Sequence, residues 1–281
     1  MTVRRLASVA LLVAIACAGL AFAYRGFFPA AEHEIISYER FWRRTLVSFG
    51  VPLPGTPDLT KLDERLKAHG LAVGSPIFIR IFKREFELEL WMLRDGRFHR
   101  FATYPICRWS GTLGPKLAQG DRQAPEGFYT VDEKALNPNS AWHRSFNLGY
   151  PNAFDRAYGR TGSLIMVHGG CGSIGCFAMT NPVIDEVWRL VTAALRGGQA
   201  RFQVQVFPFR LTDGNLAGRD SDGDLKFWQN LKTGSDIFER DLLPPKVNIC
   251  SRRYTFEPAG AAIDGSTPIG TACPPEKSSG S

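Results

Sequence analysis

LIMVHGGCGSIGCFAMT, residues 164–180, is the segment that carries most of the structural and chemical information in this chain. Its apolar start predicts a buried strand ending at His168, and a glycine-rich turn then leads to Cys176. Thr180 and the apolar spacing after it predict a helix. A histidine at a strand end can face a cysteine beyond such a turn, as a nucleophile and its base require. We expect the positive end of the helix to lower the pKa of the Cys176 thiol.

The first 23 residues have the pattern of an export leader. Two arginines precede an apolar run, residues 6–20, and Ala21–Ala23 is a small-x-small cleavage site. An uncleaved leader would instead tether the protein to the membrane, and Cys17 leaves a lipoprotein as a weaker alternative. We therefore expect an exported, periplasmic protein. The net charge of +7 includes the two leader arginines. The modest remaining excess suits a protein that works near an anionic polymer or a membrane face, but it is equally an ordinary basic surface. We expect no nucleic-acid partner.

The remaining five cysteines are Cys107, Cys171, Cys176, Cys250 and Cys273. In an oxidising compartment an odd number leaves one thiol as a candidate reactive group, and we expect it to be Cys176. Cys250 and Cys273 are close enough in sequence to pair. Cys107 and Cys171 can pair only if the fold brings them together, so the sequence does not fix the connectivity.

Hydrophobic residues make up 44% of the 281, enough for a sizeable core. From Ile77 the alternation of apolar residues predicts an antiparallel meander, with a tight turn at Asp95–Gly96. The fold class is mainly β with flanking helices (α+β). Four segments follow the leader: an N-terminal helical segment (24–75), a catalytic domain (76–211), a C-terminal helical extension (212–256) and a flexible tail (257–281).

Five segments together resemble the L,D-transpeptidase (YkuD-domain) enzymes of bacterial cell walls, and within them the YafK-type branch. They are IFIRIFKREFELELW, YPICRWSGTLGPK, GDRQAPEGFYTV, FNLGYPNAFDRAYGRTG and MVHGGCGSIGCFAMT. The resemblance runs from about Pro76 to about Leu211. It implies a β-sandwich-like catalytic domain. We expect no cofactor and no metal. The implied partner is a peptidoglycan stem peptide, attacked at a meso-diaminopimelate amide.

The resemblance also implies roles for individual residues. Cys176 matches the nucleophile, His168 matches the base, and the carbonyl of Gly169 would orient the imidazole. Backbone N–H groups of Gly175, Cys176 and Ile174 are candidates for the oxyanion hole. Candidate substrate-binding residues are Lys116, Tyr150, Asn152, Asp155, Arg160 and Ser173.

Arg160 is the side chain that we favour for binding the diaminopimelate carboxylate, because an arginine can donate two parallel hydrogen bonds. A structural ion pair between Arg160 and Asp155 is the alternative. His143 could act as a second acid, and Trp109 and Trp142 could stack on the substrate.

The motif departs from that of typical family members, which have Ser-His-Gly-Cys where this chain has Ser173-Ile174-Gly175-Cys176. The base lies only eight residues before Cys176, and the second histidine is absent. In the YafK-type branch the implied activity is amide hydrolysis that frees an outer-membrane lipoprotein, bound through its C-terminal lysine. Formation of 3-3 cross-links or lipoprotein attachment is the alternative.

Three other classes compete with a cysteine enzyme. His168, Cys171 and Cys176 are residue types that bind zinc. Cys171 and Cys176 could instead form a redox pair. The third class is a wall-binding module without catalysis. Only the joint presence of His168 and Cys176 argues against this third class.

Overall fold

The computed structural model describes residues 32–219, 222–261 and 264–273. The helices are α1 (Glu32–Ser48), α2 (Leu62–Ala68), α3 (Ala153–Ala157), α4 (Asn181–Arg196), α5 (Asp213–Leu216) and α6 (Leu225–Asp241). The strands are β1 (Ile77–Phe82), β2 (Glu87–Arg94), β3 (Arg97–Pro105), β4 (Gly127–Asp132), β5 (Leu136–Asn137), β6 (Ser145–Asn147), β7 (Met166–His168), β8 (Phe177–Ala178), β9 (Arg201–Phe207), β10 (Lys246–Cys250), β11 (Arg253–Glu257) and β12 (Gly270–Thr271). These mixed sheets and helices confirm the α+β class.

The chain separates after Phe41 into two compact units. The described part of the first unit is the beginning of α1, and all the strands belong to the second. The predicted leader, residues 1–23, lies outside the described residues. Over the ranges that are described, every helix is too short or too polar to cross a bilayer.

The largest sheet has the strand order β3-β2-β1-β9-β4. β1, β2 and β3 pair in antiparallel fashion, which confirms the predicted meander. Asp95 and Gly96 form its turn with φ of 52° and 78°, the left-handed backbone that tight hairpins require. β9 lies between β1, its parallel neighbour, and β4, its antiparallel neighbour. Both faces of β1 and β9 are buried almost throughout, as central strands require.

A four-stranded sheet with the order β5-β6-β7-β8 carries the predicted catalytic segment. Its strands are only two or three residues long. β7 runs antiparallel to β6 and parallel to β8, and Arg108 forms a single bridge with Ala178 on the far side of β8. α4 follows β8 and buries the apolar face that the sequence predicts, including Val187 and Val191.

The C-terminal part differs from the predicted helical extension and flexible tail. Besides α5 and α6 it contains a three-stranded sheet of order β11-β10-β12. Trp228, Leu231 and Tyr254 share an aromatic core with Phe82 and Phe128 of the large sheet. The predicted tail contributes β12 and a disulfide from Cys273 to Cys250. Pairing of β12 with β10 and the cross-link therefore hold part of a segment whose Gly- and Pro-rich composition predicted flexibility.

Candidate active site

Cys176 and His168 line one cavity of about 830 Å³. His168 ends β7, where pairing to β6 and β8 fixes its backbone. Cys176 precedes β8 by one residue and is the free cysteine among the described residues. The parallel pairing of β7 with β8 therefore brings the glycine-rich loop back beside the strand from which it started.

The Cys176 thiol bonds to the backbone of the segment leading into β7. Its sulfur accepts a hydrogen bond from Met166 N–H at 3.3 Å and donates to Leu164 O at 3.6 Å. The His168 ring, on the same wall, has its Nδ1 at 2.5 Å from Gly169 O. That contact leaves Nε2 as the ring nitrogen available to a reacting group.

Burial makes both groups prefer their neutral forms. It raises the pKa of the Cys176 thiol, and this effect outweighs the Met166 N–H group and the positive charge of Lys116, which lower it. Burial likewise lowers the pKa of His168, against the raising effect of Gly169 O. The predicted lowering of the thiol pKa is therefore wrong, because desolvation dominates and α4 begins only at Asn181, beyond β8.

Ser173 holds the end of the loop in place. Its hydroxyl donates to Cys176 O at 2.6 Å, accepts from Gly175 N–H at 3.2 Å, and lies 3.2 Å from the Ser110 hydroxyl. Gly175 has a φ of 146°, a conformation that favours glycine. Its N–H, predicted as an oxyanion donor, is thus engaged with Ser173, whereas Ile174 is 79% exposed. Ser173 itself lines the cavity.

A disulfide between Cys107 and Cys171 fastens the middle of the same loop. Since the Cys171 sulfur is bonded to Cys107, it forms neither a zinc set with His168 and Cys176 nor a redox pair with Cys176. In the described parts of the chain no cluster of three potential metal-binding side chains occurs.

Arg160 and three other predicted substrate-binding residues form a separate buried cluster. The Arg160 guanidinium pairs with Asp155 at 2.8 Å and lies over the Phe154 ring. Asn152 and Asp155 cap each other's backbone at the start of α3. Tyr150 donates to Lys116 O at 3.1 Å. None of these four lines the cavity around Cys176, so the structure places Arg160 in the ion pair that was the alternative.

Lys116, also predicted to bind substrate, is buried and bonded. Its ammonium group donates to Ala118 O at 2.9 Å and pairs with Asp121. It does not line the cavity, yet its charge acts on the Cys176 thiol. Its contribution to the site is therefore electrostatic in the free protein.

The loop residues that sequence analysis considered for substrate contact have different positions. Trp142 is 55% exposed, lines the cavity and lies with its ring 5.9 Å from that of His168. Trp109 is fully buried against Phe86, so the proposed stacking of Trp109 on substrate is wrong. His143 lies 2.8 Å from Asp185 on the surface of α4 and does not line the cavity.

Six polar residues that sequence analysis did not propose as site residues also line the cavity: Arg44, Ser48, Arg108, Asn137, Ser140 and Ser145. Asn137 pairs with Ser145, and Ser145 pairs with His168. His168 pairs with Ala178, and Ala178 pairs with Arg108. Residues paired across neighbouring strands project from the same face of a sheet. These five residues form one line across the strands, which we call the cross-strand row.

The family of the protein follows from comparison with known sequences. The model of the L,D-transpeptidase catalytic domain, YkuD, matches residues 79–216, and the chain belongs to the L,D-transpeptidase family. It is similar to "Putative L,D-transpeptidase YafK" of Escherichia coli strain K12 and of Escherichia coli O157:H7. Each is 43% identical over 208 residues, which cover 74% of this chain and 84% of the relative.

Two solved structures show weaker likeness. The helical cell shape determining protein Pgp2 from Campylobacter jejuni is 21% identical over 66% of this chain and 79% of its own, with a TM-score of 0.38. Bd1075 of Bdellovibrio bacteriovorus is 20% identical over 59% of this chain and 58% of its own, with a TM-score of 0.35.

Proposed function

We propose that the protein is an exported cysteine amidase of the peptidoglycan layer. Its substrate would be the amide that joins meso-diaminopimelate to the C-terminal lysine of a wall-bound lipoprotein. Membership of the family implies an enzyme that acts on peptidoglycan. The observation that carries the proposal is that Cys176, the free thiol among the described residues, lines the same cavity as His168.

The reaction begins with a neutral thiol and a neutral imidazole. The Cys176 thiol rotates from Leu164 O towards His168 Nε2, which accepts its proton as the sulfur attacks the carbonyl carbon. The carbonyl double bond opens to a tetrahedral oxyanion. The weakly polar surroundings keep both groups neutral before the substrate binds. Separated charges therefore appear only during the attack, when the substrate has excluded water.

The oxyanion needs donors close to the sulfur. Cys176 N–H is the nearest backbone candidate, and Gly175 N–H can join it only by leaving Ser173, to which it is bonded at 3.2 Å. Loss of one such donor typically raises a barrier by about 3 kcal/mol. Because the Ser173 hydroxyl also donates to Cys176 O, it sets the direction of the peptide units around the nucleophile.

The intermediate collapses when protonated His168 donates its proton to the amide nitrogen and the C–N bond breaks. The amine leaves, and the acyl group stays on sulfur as a thioester. In hydrolysis, His168 takes a proton from water while the water oxygen attacks the thioester carbon. The carbon–sulfur bond then breaks, and the sulfur regains a proton from His168, which restores the neutral pair.

Purified protein incubated with sacculi that carry bound lipoprotein provides the test. We expect intact lipoprotein to be released with a free lysine amine, and one oxygen atom from H₂¹⁸O in the diaminopimelate carboxyl group of the wall. The variant Cys176→Ala is the matched control and should release nothing. Release without ¹⁸O in that carboxyl group would contradict hydrolysis at this bond.

Transpeptidation is the second candidate, because an amine can attack the same thioester in place of water. Free muropeptides incubated with the protein would then give cross-linked dimers. A carbapenem adduct on the wild type that is lost in Cys176→Ala would test the nucleophile independently of either product. Absence of products and adduct would leave a wall-binding module and overturn the enzyme assignment.

A further inference from the structure

The cavity contains positive charge without a matching carboxylate. Arg108 and Arg44 line it, and the described residues around it include no Asp or Glu. Over the ranges that the structure describes, neither guanidinium has an ion-pair partner. Arg108 is half-buried, so its charge acts through a less polar medium than water. Such a surface favours an anionic ligand.

The cross-strand row gives the cavity a direction. Ser145 lies on one side of His168, and Arg108 lies two strands away on the other, with Ala178 between. At a strand spacing of about 4.8 Å, the Cα atoms of His168 and Arg108 are roughly 10 Å apart. An extended arginine side chain can cover most of that distance above the small Ala178 side chain.

The chemistry of the proposed function orients the substrate along this row. His168 must give its proton to the amide nitrogen, so the leaving amine lies over His168. The acyl half, attached to the Cys176 sulfur, then extends away from His168 towards the part of the cavity that Arg108 lines.

Arg44 approaches the same region from helix α1. Its neighbour Arg43 donates to Ile106 O at 3.2 Å, which fastens this part of the helix over the chain segment that leads to Arg108. Arg44 is exposed at the cavity rim. The two arginines therefore reach one end of the cavity from separate elements.

We propose that Arg108, assisted by Arg44, binds a free carboxylate on the acyl half of the substrate and thereby selects acidic stem peptides. This inference deepens the proposed function and rests on it for the direction of the amide. Arg108 is thus a specificity-determining residue. A guanidinium suits this role because its parallel N–H groups match the two oxygens of a carboxylate.

Binding to the protein that carries Cys176→Ala tests the inference without catalysis. The probe is the tripeptide L-Ala-γ-D-Glu-meso-diaminopimelate, amidated at the carboxyl group that would form the scissile bond. Two further forms have either the other diaminopimelate carboxylate or the D-Glu carboxylate converted to a carboxamide. Calorimetry of all three identifies which carboxylate is bound.

We expect one carboxamide form to bind about 10- to 100-fold more weakly than the parent peptide. Adding Arg108→Gln to the Cys176→Ala protein should weaken binding of the parent peptide to the same degree. It should leave the affinity for that carboxamide form unchanged. Arg44→Gln, at the exposed rim, should have a smaller effect of about 3-fold. Arg108→Lys, which keeps the charge, should restore part of the affinity.

Arg189→Gln is the matched control, because it removes one positive charge from the exposed face of α4 and should change no affinity. Equal weakening of the acid and carboxamide forms by Arg108→Gln, equal affinity of all three forms, or no binding would overturn the inference. If the Cys176→Ala protein distinguishes the acid from the carboxamide form but the wild type releases no lipoprotein, the role of Arg108 stands and the proposed amidase activity is rejected.

Discussion

Asp155 and Arg160 form an ion pair at 2.8 Å inside the protein, with side-chain exposures of 0% and 8%. The pair joins the start of α3 to the residues that follow the helix. Tyr129 also lies 3.3 Å from Asp155, and the Phe154 ring stacks on Tyr254. The cluster thus ties α3 to the large sheet and to the C-terminal part.

Arg160→Ala should therefore lower stability and leave chemistry intact. Removal of one partner leaves the Asp155 carboxylate buried without its counter-charge, which typically costs about 3–5 kcal/mol. We expect a clearly lower Tm and an unchanged kcat per folded molecule. Arg189→Ala, in an exposed pair with Asp63, should cost about 0–1 kcal/mol. A normal Tm with lost turnover would instead support the substrate-binding role of Arg160.

The pH dependence of activity follows from the two shifted groups of the site. The pKa of His168 is lowered from 6.5 and that of Cys176 is raised from 9.0. Both groups are neutral between these limits. We expect kcat/KM to rise as His168 loses its proton below pH 6.5 and then to stay level to about pH 9.

Alkylation of Cys176 by iodoacetamide should separate a neutral pair from an ion pair. Only the thiolate reacts, so the rate should keep increasing with pH beyond 9.0, the usual pKa of the thiol. Mass spectrometry of the intact protein measures the rate, with Cys176→Ala as the control. A rate already at its maximum near neutral pH would show a thiolate–imidazolium pair and contradict this account.

The disulfide at Cys171 should protect the nucleophile. Cys107→Ser frees the Cys171 thiol, which lines the same cavity as Cys176. In air-saturated buffer, dioxygen should oxidise the Cys171 and Cys176 thiols to a disulfide, which gives an inactive protein that regains activity with a reductant. The double variant Cys107→Ser/Cys171→Ser should stay active without reductant, although loss of the disulfide costs about 2–5 kcal/mol. Equal inactivity of both variants would show that the cross-link itself is required.

Ser145→Ala should lower activity without lowering stability. The Ser145 hydroxyl is buried and has no hydrogen-bond partner among the described residues, and it lies beside His168 in the cross-strand row. Its removal ends a desolvation penalty of about 1–3 kcal/mol, so Tm should stay constant or rise. We expect kcat/KM to fall, because bound substrate in the cavity would supply the missing partner.

Ser235→Ala is the matched control for that experiment. The Ser235 hydroxyl is also buried but accepts a hydrogen bond from the Arg80 guanidinium at 2.8 Å. Its removal should lower Tm and leave kcat/KM unchanged. An unaltered kcat/KM in Ser145→Ala would remove the hydroxyl from the proposed substrate contacts.

Local sequence signals were sufficient for the meander and for the segment that contains His168 and Cys176. Alternation in β1 and β2, the Asp95–Gly96 turn and the glycines around Cys176 are all expressed within a few residues. The same signals predicted a flexible tail where Gly270–Thr271 form β12 and Cys273 bonds to Cys250, because both contacts depend on partners distant in sequence. Disulfide connectivity likewise depends on residues that are distant in sequence, so it cannot be deduced from the spacing of the cysteines.

Local sequence signals could not predict the polar residues that line the cavity. Asn137, Ser145 and Arg108 meet His168 through register between strands of two or three residues, which are too short to show alternation. Arg160 was favoured because it is a cation near the motif segments and its guanidinium can bind a carboxylate through two hydrogen bonds. Asp155, however, is only five residues away and forms the ion pair with it. A cation without a local acidic neighbour, such as Arg108, is the signal that could have found the cavity wall.

The position of β9 has a consequence for the order in which the protein folds. The central sheet cannot close until β9 inserts between β1 and β4, and Gln199 at its approach bonds to Ile77 across 122 residues. Loop closure over such a span is slow, so a nascent chain lacking β9 keeps its first strands incomplete. Synthesis must therefore proceed through most of the polypeptide before a rigid domain forms, so the last third of the chain decides when the first strands become protected from solvent.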